Sequence, residues 1–327
     1  MMNKRDFVIL TDVNADLPTS YTDAENIGVI SMSIQIDGKS YEPGKDIDAD
    51  TFYKLMRGGK EPTTAAANPH QYEQAFKQVL DSGKDVLYLA FSSALSSSYQ
   101  SAVMAREMLE DKDDRTGAET VENIHFPRIV IIDTLSGSMG QGLLVYKANE
   151  LKKQGKSLDE VVAWCETNKR NICHEFVLDD LMYMHRGGRL SKNSAILGSL
   201  LHVKPLIYLD DESKVLSSGH VRGSKKAIRM LIERMTKCME SKIPKDKFDY
   251  TGASKLNCAD EKRQKRKFEN QDMIMICHSD CEQLALQLKE QITKKFKFEN
   301  IMIHTAGPVI GCHAGPGAVG VFFMGER

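Results

Sequence analysis

Three short apolar runs, each ending in a polar turn, constrain this chain more than any other feature. FVILT at 7–11 leads into Asp12-Val13-Asn14-Ala15-Asp16. VLYLAF at 86–91 leads into a turn with five serines, Ser92, Ser93, Ser96, Ser97 and Ser98. RIVII at 128–132 leads into Asp133-Thr134-Leu135-Ser136-Gly137-Ser138. Helical patterns follow at about 99–110 and 143–153. Uninterrupted apolar strands alternating with helices predict a parallel sheet covered on both faces. Ligands of such sheets sit where loops leave the carboxyl ends of the strands. The first half is therefore expected to be an α/β domain with a rim rich in Ser, Thr and Gly.

The second half has a different grammar. A helical stretch at 158–168 runs into an irregular MYMHRGGRLS segment, and an apolar helix is expected at 194–202. After a Lys-Pro break, strands at 206–209 and 214–219 flank a polar turn and predict a β-hairpin. A basic amphipathic helix is expected at 224–239 and a strand at 273–277. Ser279-x-x-Glu282 predicts a capping box opening a helix to about residue 293. A strand at 301–304, a Gly/Pro loop and a strand at 319–324 close the chain. These elements predict a second α+β domain, with the boundary at 155–172. The charged segments 110–125 and 245–272 read as surface insertions, and the basic run at 262–267 leaves a transient membrane-surface or partner contact open.

Composition narrows the function classes. With 44 Lys+Arg against 45 Asp+Glu, the net charge of −1 gives no whole-surface attraction to nucleic acid or anionic lipid. No apolar run approaches the ~18 residues of a transmembrane helix, and the opening MMNKRDFVILTD is expected to enter a strand at once, leaving no room for a signal peptide. Seven cysteines in such a chain are expected to be reduced, which points to the cytoplasm.

Several motifs carry candidate chemistry. The literal GxGxxG at 315–320 lacks a helix after it and does not predict a dinucleotide site. No nucleophile elbow and no P-loop occur. Cys277-His278-x-x-Cys281, with Cys312 and His313 downstream, lacks a second pair at zinc-finger spacing, so structural cysteines and no metal are expected. The serine-rich turn offers more hydroxyls than one helix cap needs, which suggests an oxyanion-binding loop. Pro62-Thr63-Thr64 is a second hydroxyl-bearing loop or a simple turn. Arg186-Gly187-Gly188-Arg189 presents two guanidinium groups suited to carboxylate or phosphate, although a surface turn would read the same. His313 lies in a loop rich in glycine, where the backbone can approach a ligand closely or the imidazole can move a proton.

Taken together, TDVNADLP (11–18), PTTAAANP (62–69), SSALSSSYQSA (92–102), GGRLS (187–191), LGSLLHVKPLI (197–207) and GPVIGCHAGPGAVGVFF (307–323) resemble the DegV family, in the family's order and over nearly the whole chain. The resemblance implies an α/β fold: a Rossmann-like three-layer parallel-sheet domain (1–160) and a second two-layer α/β domain with a mixed sheet (161–327), carrying the charged insertion at about 245–272. It implies a long-chain fatty acid held between them, no other cofactor, and an ATP-dependent fatty-acid kinase subunit as partner that makes the acyl phosphate. Thr64 and Ser93 then match carboxylate ligands, with the Ala94 amide beside them. Arg189 and His313 match residues near the head group, and Arg222 a partner-docking or phosphate contact. The chain departs from the family at Thr64-Ala65-Ala66-Ala67, Ser96-Ser97-Ser98 and Thr11-Asp12-Val13. Two other readings stay open from the residues alone: an autonomous enzyme acting on a small carboxylate or phosphate through Ser93 or His313, and a lipid-responsive regulatory adaptor.

Overall fold

A computed structural model describes residues 6–115, 128–190, 203–239, 271–296, 298 and 300–327. The elements in chain order are β1 Phe7–Asp12, α1 Thr19–Ala24, β2 Gly28–Ile30, β3 Ser33–Ile36, β4 Lys39–Tyr41, α2 Ala49–Arg57, β5 Thr63–Ala65, α3 Pro69–Leu80, β6 Asp85–Ala90, α4 Ser98–Arg115, β7 Ile129–Asp133, α5 Met139–Lys153 and α6 Leu158–Asn168. They continue as β8 Ile172–Val177, α7 Met182–Arg186, β9 Val203–Leu209, β10 Val215–Arg222, α8 Ser224–Met239, β11 Ile274–His278, α9 Glu282–Lys295, β12 Ile301–Thr305, α10 Pro308–Ala314 and β13 Val319–Met324.

The three apolar runs form the heart of a parallel sheet of order β2-β1-β6-β7. Alternate side chains feed opposite faces, as strand geometry requires. Val86, Tyr88 and Ala90 pack with Tyr72 and Phe76 of α3 and Ala102 and Ala105 of α4. Ile9, Leu87 and Leu89 pack with Leu143, Leu144 and Ala148 of α5. Asn68 and Gln71 form a capping box at α3, and Ser157 and Glu160 another at α6.

The second sheet is mixed, of order β10-β9-β8-β13-β11-β12, with β11 and β12 parallel and the other pairs antiparallel. One face buries Ile274, Ile276, Val321 and Phe323 under α8 and α9. The opposite face turns Met275, Cys277 and Phe322 onto α5, in the same cluster that covers the first sheet. Helix α5 is thus packed between both sheets.

Several elements differ from expectation. Helix α7 occupies the start of the MYMHRGGRLS segment expected to be irregular, and strand β8 precedes it, where no element was expected. Lys204 and Pro205 fall inside β9; proline is tolerated there because the β8 ladder stops at Leu206, one residue short of it. Segment 62–64 contributes to a strand: β5 joins β3 and β4 in a small antiparallel sheet. The supposed Gly/Pro loop contains α10. The expected capping box does not form, because Ser279 is buried and pairs through its backbone with Ala318 and Gly317. Asp280 then takes a left-handed φ of 51°, and Cys281 is the N-cap without a side-chain bond. Helix α4 runs on into the first charged segment, to Arg115. The expected helix at 194–202 lies outside the described residues, as do 116–125 and 245–270 of the two insertions.

Candidate functional site

An apolar cavity opens at the carboxyl ends of β1, β6 and β7 and is closed on its other side by the second sheet and α10. The space open to the centre of a water molecule is about 120 Å³. Phe91, Met32, Phe176, Val309 and Phe322 form much of its wall. Thr64, Ser96, Arg189 and His313 stand among the polar residues lining it.

Each of these is positioned by a different element. Thr64 is the middle residue of β5, paired with Ile34. His313 sits in the last turn of α10, and its Nε2 lies 3.1 Å from Thr64 Oγ1. Its Nδ1 is buried without a hydrogen-bond partner among the described residues. Burial first, and the Arg189 cation second, push the imidazole down to about 4, so the ring is neutral at ordinary pH. Gly187 makes the arrangement possible: a Cβ there would stand 2.1 Å from His313 Nδ1.

The two arginines of the RGGR turn part company. Arg186 turns outward, pairs with Glu61 and covers the Tyr183 ring with its guanidinium 4.8 Å from the centroid. Arg189 turns inward, where Nε donates to the Leu95 carbonyl at 3.0 Å and Nη1 to the Gly187 carbonyl. Burial lowers its pKa. Among the described residues its hydrogen-bond partners are these carbonyls and no carboxylate pairs with it, at the edge of an apolar cavity.

Ser93 and Ala94 are exposed and do not line the cavity. The Ser93 hydroxyl donates to Asp133, and its amide donates to the same carboxylate at 3.2 Å. The Ala94 amide donates to Ser92 Oγ at 3.3 Å. Ser96, whose hydroxyl pairs with Ser98 at 2.8 Å, is the serine of this turn that reaches the cavity. Arg222 ends β10, exposed to solvent and outside the cavity lining. The thiols of the Cys-His-x-x-Cys segment diverge: Cys277 approaches Asp16 Oδ2 at 3.6 Å, whereas Cys281 approaches the Ala318 carbonyl at 3.0 Å. Among the described residues no group of three His, Cys, Asp or Glu is arranged to hold a metal.

The family model for DegV proteins matches residues 6–326. The chain belongs to the DegV family. A DegV domain-containing protein of Clostridium perfringens strain 13 is 36% identical over 322 residues, covering 98% of each chain. The structure of a fatty acid binding DegV family protein from Streptococcus agalactiae is 26% identical, with a TM-score of 0.74 over 99% of this chain and 100% of that one. The fatty-acid-binding DegV family protein from Thermus thermophilus shares the fold, with a TM-score of 0.76 at 24% identity over 98% of this chain and 99% of that one. The expected fold class, a parallel α/β sheet with a second mixed-sheet unit, is the DegV fold.

Within this DegV chain the cavity also uses residues that the motifs did not reveal. His174 lines it from β8, with Nδ1 on the Ile172 carbonyl at 3.0 Å and Nε2 accepting from the Gly137 amide at 3.4 Å. Ser138 lines it from the turn before α5 and donates to Asp16 at 2.7 Å. Nothing in the local pattern ICHEFV marks His174 as a cavity residue. Ser138, by contrast, lies in one of the three polar turns that first suggested a ligand rim. Among the described residues, no helix is long and apolar enough to cross a membrane.

Proposed function

We propose that this chain binds a long-chain fatty acid, with the carboxylate at Arg189, His313 and Thr64 and the hydrocarbon tail in the apolar cavity. The observation that carries this is the inward-facing Arg189, a cation without a carboxylate partner among the described residues, at a cavity walled by apolar side chains. A carboxylate entering such a site loses its hydration and needs several donors in return. The guanidinium, the Thr64 hydroxyl and the His313 ring supply them. Each methylene buried along the tail contributes about 0.8 kcal/mol, which favours a long chain over a short acid. Ser93 and Ala94 join the carboxylate only after leaving Asp133 and Ser92. Relatives described as fatty-acid-binding support the same ligand class.

The sequence has no P-loop, so acyl-phosphate formation is assigned to a separate ATP-binding kinase subunit, to which this protein presents the carboxylate. Arg222 belongs to that partner surface in this proposal. Lipid binding is tested by native mass spectrometry and lipid extraction of gently purified protein, which is expected to carry an acyl chain. Protein that is empty and takes up no C14–C18 acid would refute it. Arg189→Gln is expected to weaken binding of the acid by about tenfold or more, the scale of a charge-assisted bond, and to spare the methyl ester. The kinase step is tested separately, by acyl-phosphate formation that depends on adding an ATP-binding kinase protein.

A further inference from the structure

Away from the cavity, two cysteines distant in sequence meet behind β8. Cys173 lies on that strand and Cys238 in the last turn of α8. Both pack against Gly325, and the two thiols are neighbours in the space between β8 and α8. A side chain at Gly325 would prevent the meeting: its Cβ would stand 2.9 Å from Cys173 Sγ and 3.1 Å from the Cys238 carbonyl oxygen. The neighbouring backbone pins the pair, because Gly325 donates to the Asn171 carbonyl at 2.7 Å and Glu326 to the Cys238 carbonyl at 3.0 Å.

The two thiols are unequal in a chemically useful way. Cys173 is 2% exposed, and burial raises its pKa well above the ordinary value. Cys238 is partly exposed and is the one described cysteine whose pKa is lowered, first by the neighbouring Cys173 thiol. Its sulfur lies 4.0 Å from Glu175 Oε1, which also accepts from Arg234 Nη2 at 2.9 Å. A partly exposed thiol with a lowered pKa beside a buried thiol is the arrangement that redox-active cysteines use.

We propose that Cys173 and Cys238 form a reversible dithiol–disulfide site that reacts with hydrogen peroxide. The Cys238 thiolate attacks one peroxide oxygen, the O–O bond breaks, and hydroxide leaves a sulfenic acid at Cys238. The Cys173 sulfur then attacks the Cys238 sulfur; the S–S bond forms, the S–O bond breaks, and the departing hydroxide takes the Cys173 proton as water. Two thiols and one peroxide thus give one disulfide and two waters. The bond joins α8 to the back of the strand whose other side chains, His174 and Phe176, line the cavity.

The experiment exposes the full-length protein to low micromolar peroxide, alkylates the remaining thiols and maps the peptides. The expected result is a loss of 2 Da, a Cys173–Cys238 linked peptide, and full reversal by dithiothreitol. In Cys173→Ser the link is absent and dimedone traps a sulfenic acid at Cys238. In Cys238→Ser, Cys173 remains alkylatable. Both thiols staying free, Cys238 reaching sulfinic acid while Cys173 stays reduced, or a link from Cys238 to Cys258 would each overturn the proposal.

Discussion

Gly187 faces the edge of the His313 imidazole so closely that a Cβ at residue 187 would lie 2.1 Å from Nδ1. The RGGR turn and helix α10 are therefore fitted to each other through the absence of one methyl group. Alanine at this position must displace the ring, which would carry Nε2 away from Thr64. Gly187→Ala is expected to destabilise the protein by about 1–3 kcal/mol, the range for overpacking a tight contact. Urea denaturation reads the loss of stability, and fatty-acid titration should show weakened binding in the same variant. Unchanged values for both would mean that the turn yields freely.

The two hydroxyls assigned to the carboxylate should not respond alike. Thr64 already lines the cavity beside His313, whereas the Ser93 hydroxyl is held by Asp133. Thr64→Val is expected to reduce fatty-acid affinity by about tenfold or more, the scale of a hydrogen bond to a charged group. Ser93→Ala is expected to change it by less than about threefold. Equal losses in a competition titration would show that Ser93 abandons Asp133 when the ligand arrives.

Binding should consume a proton. His313 is held down to about 4 in the empty site by burial and by Arg189, while Thr64 and Gly187 bring no charge to it. A carboxylate beside the ring acts in the opposite direction and raises its pKa. Titration calorimetry near pH 5.5, in two buffers of different ionisation enthalpy, is expected to reveal proton uptake that His313→Gln removes. Matching apparent enthalpies in the two buffers would contradict this.

Stability of the empty protein should follow two opposed titrations. His313 has a folded value below its ordinary 6.5, so its contribution is complete above that pH and is lost as pH falls toward about 4. His174, lowered by burial, acts in the same sense. Asp16 is pushed up to about 7 by burial, from an ordinary 3.8. Its contribution is complete below the ordinary value and lost as pH rises through about 7. Denaturation across pH 4–8 is expected to show that His313→Gln flattens the acid side and Asp16→Asn the neutral side. An acid limb unchanged in His313→Gln would exclude that residue as its source.

Arg327 should act as a structural clamp. Its guanidinium donates to the Ile172 carbonyl at 2.7 Å, and to those of Asp210 and Leu135 at 2.8 Å each, which ties the β7–α5 turn to the second sheet. Arg327→Ala leaves these acceptors short of a donor and is expected to cost about 2–4 kcal/mol. Lysine should rescue only part of this, because an ammonium cannot reproduce the fork. Full rescue in a thermal melt would show that charge alone matters.

The parallel sheet was legible because β1, β6 and β7 are unbroken apolar runs whose turns differ sharply in composition. Strand β8 was hidden because His174 and Glu175 interrupt its apolar pattern, yet both are buried. The imidazole bonds to backbone and the carboxylate to Arg234, which no local pattern announces. Strands β3 to β5 have only three or four residues each, too few for a period to emerge. Proline and glycine around residues 308–311 read as loop signals, although proline at the first position of α10 suits a helix start. For the candidate site, residue types at 64, 189 and 313 pointed to oxyanion chemistry. The capture of Ser93 by Asp133, some 40 residues away, exists only in the folded chain.

Helix α5 has a consequence for how a lipid could get in and out. With Leu143, Leu144 and Val145 in one cluster with side chains from both sheets, the halves of the molecule share a spine instead of meeting at a seam. Swinging them apart like a clamshell would strip that spine of its cover and expose a continuous apolar face to water. A lipid bound as proposed would pass at lower cost by the rim, through small displacements of the turns that hold Ser96 and Arg189, with the spine left still.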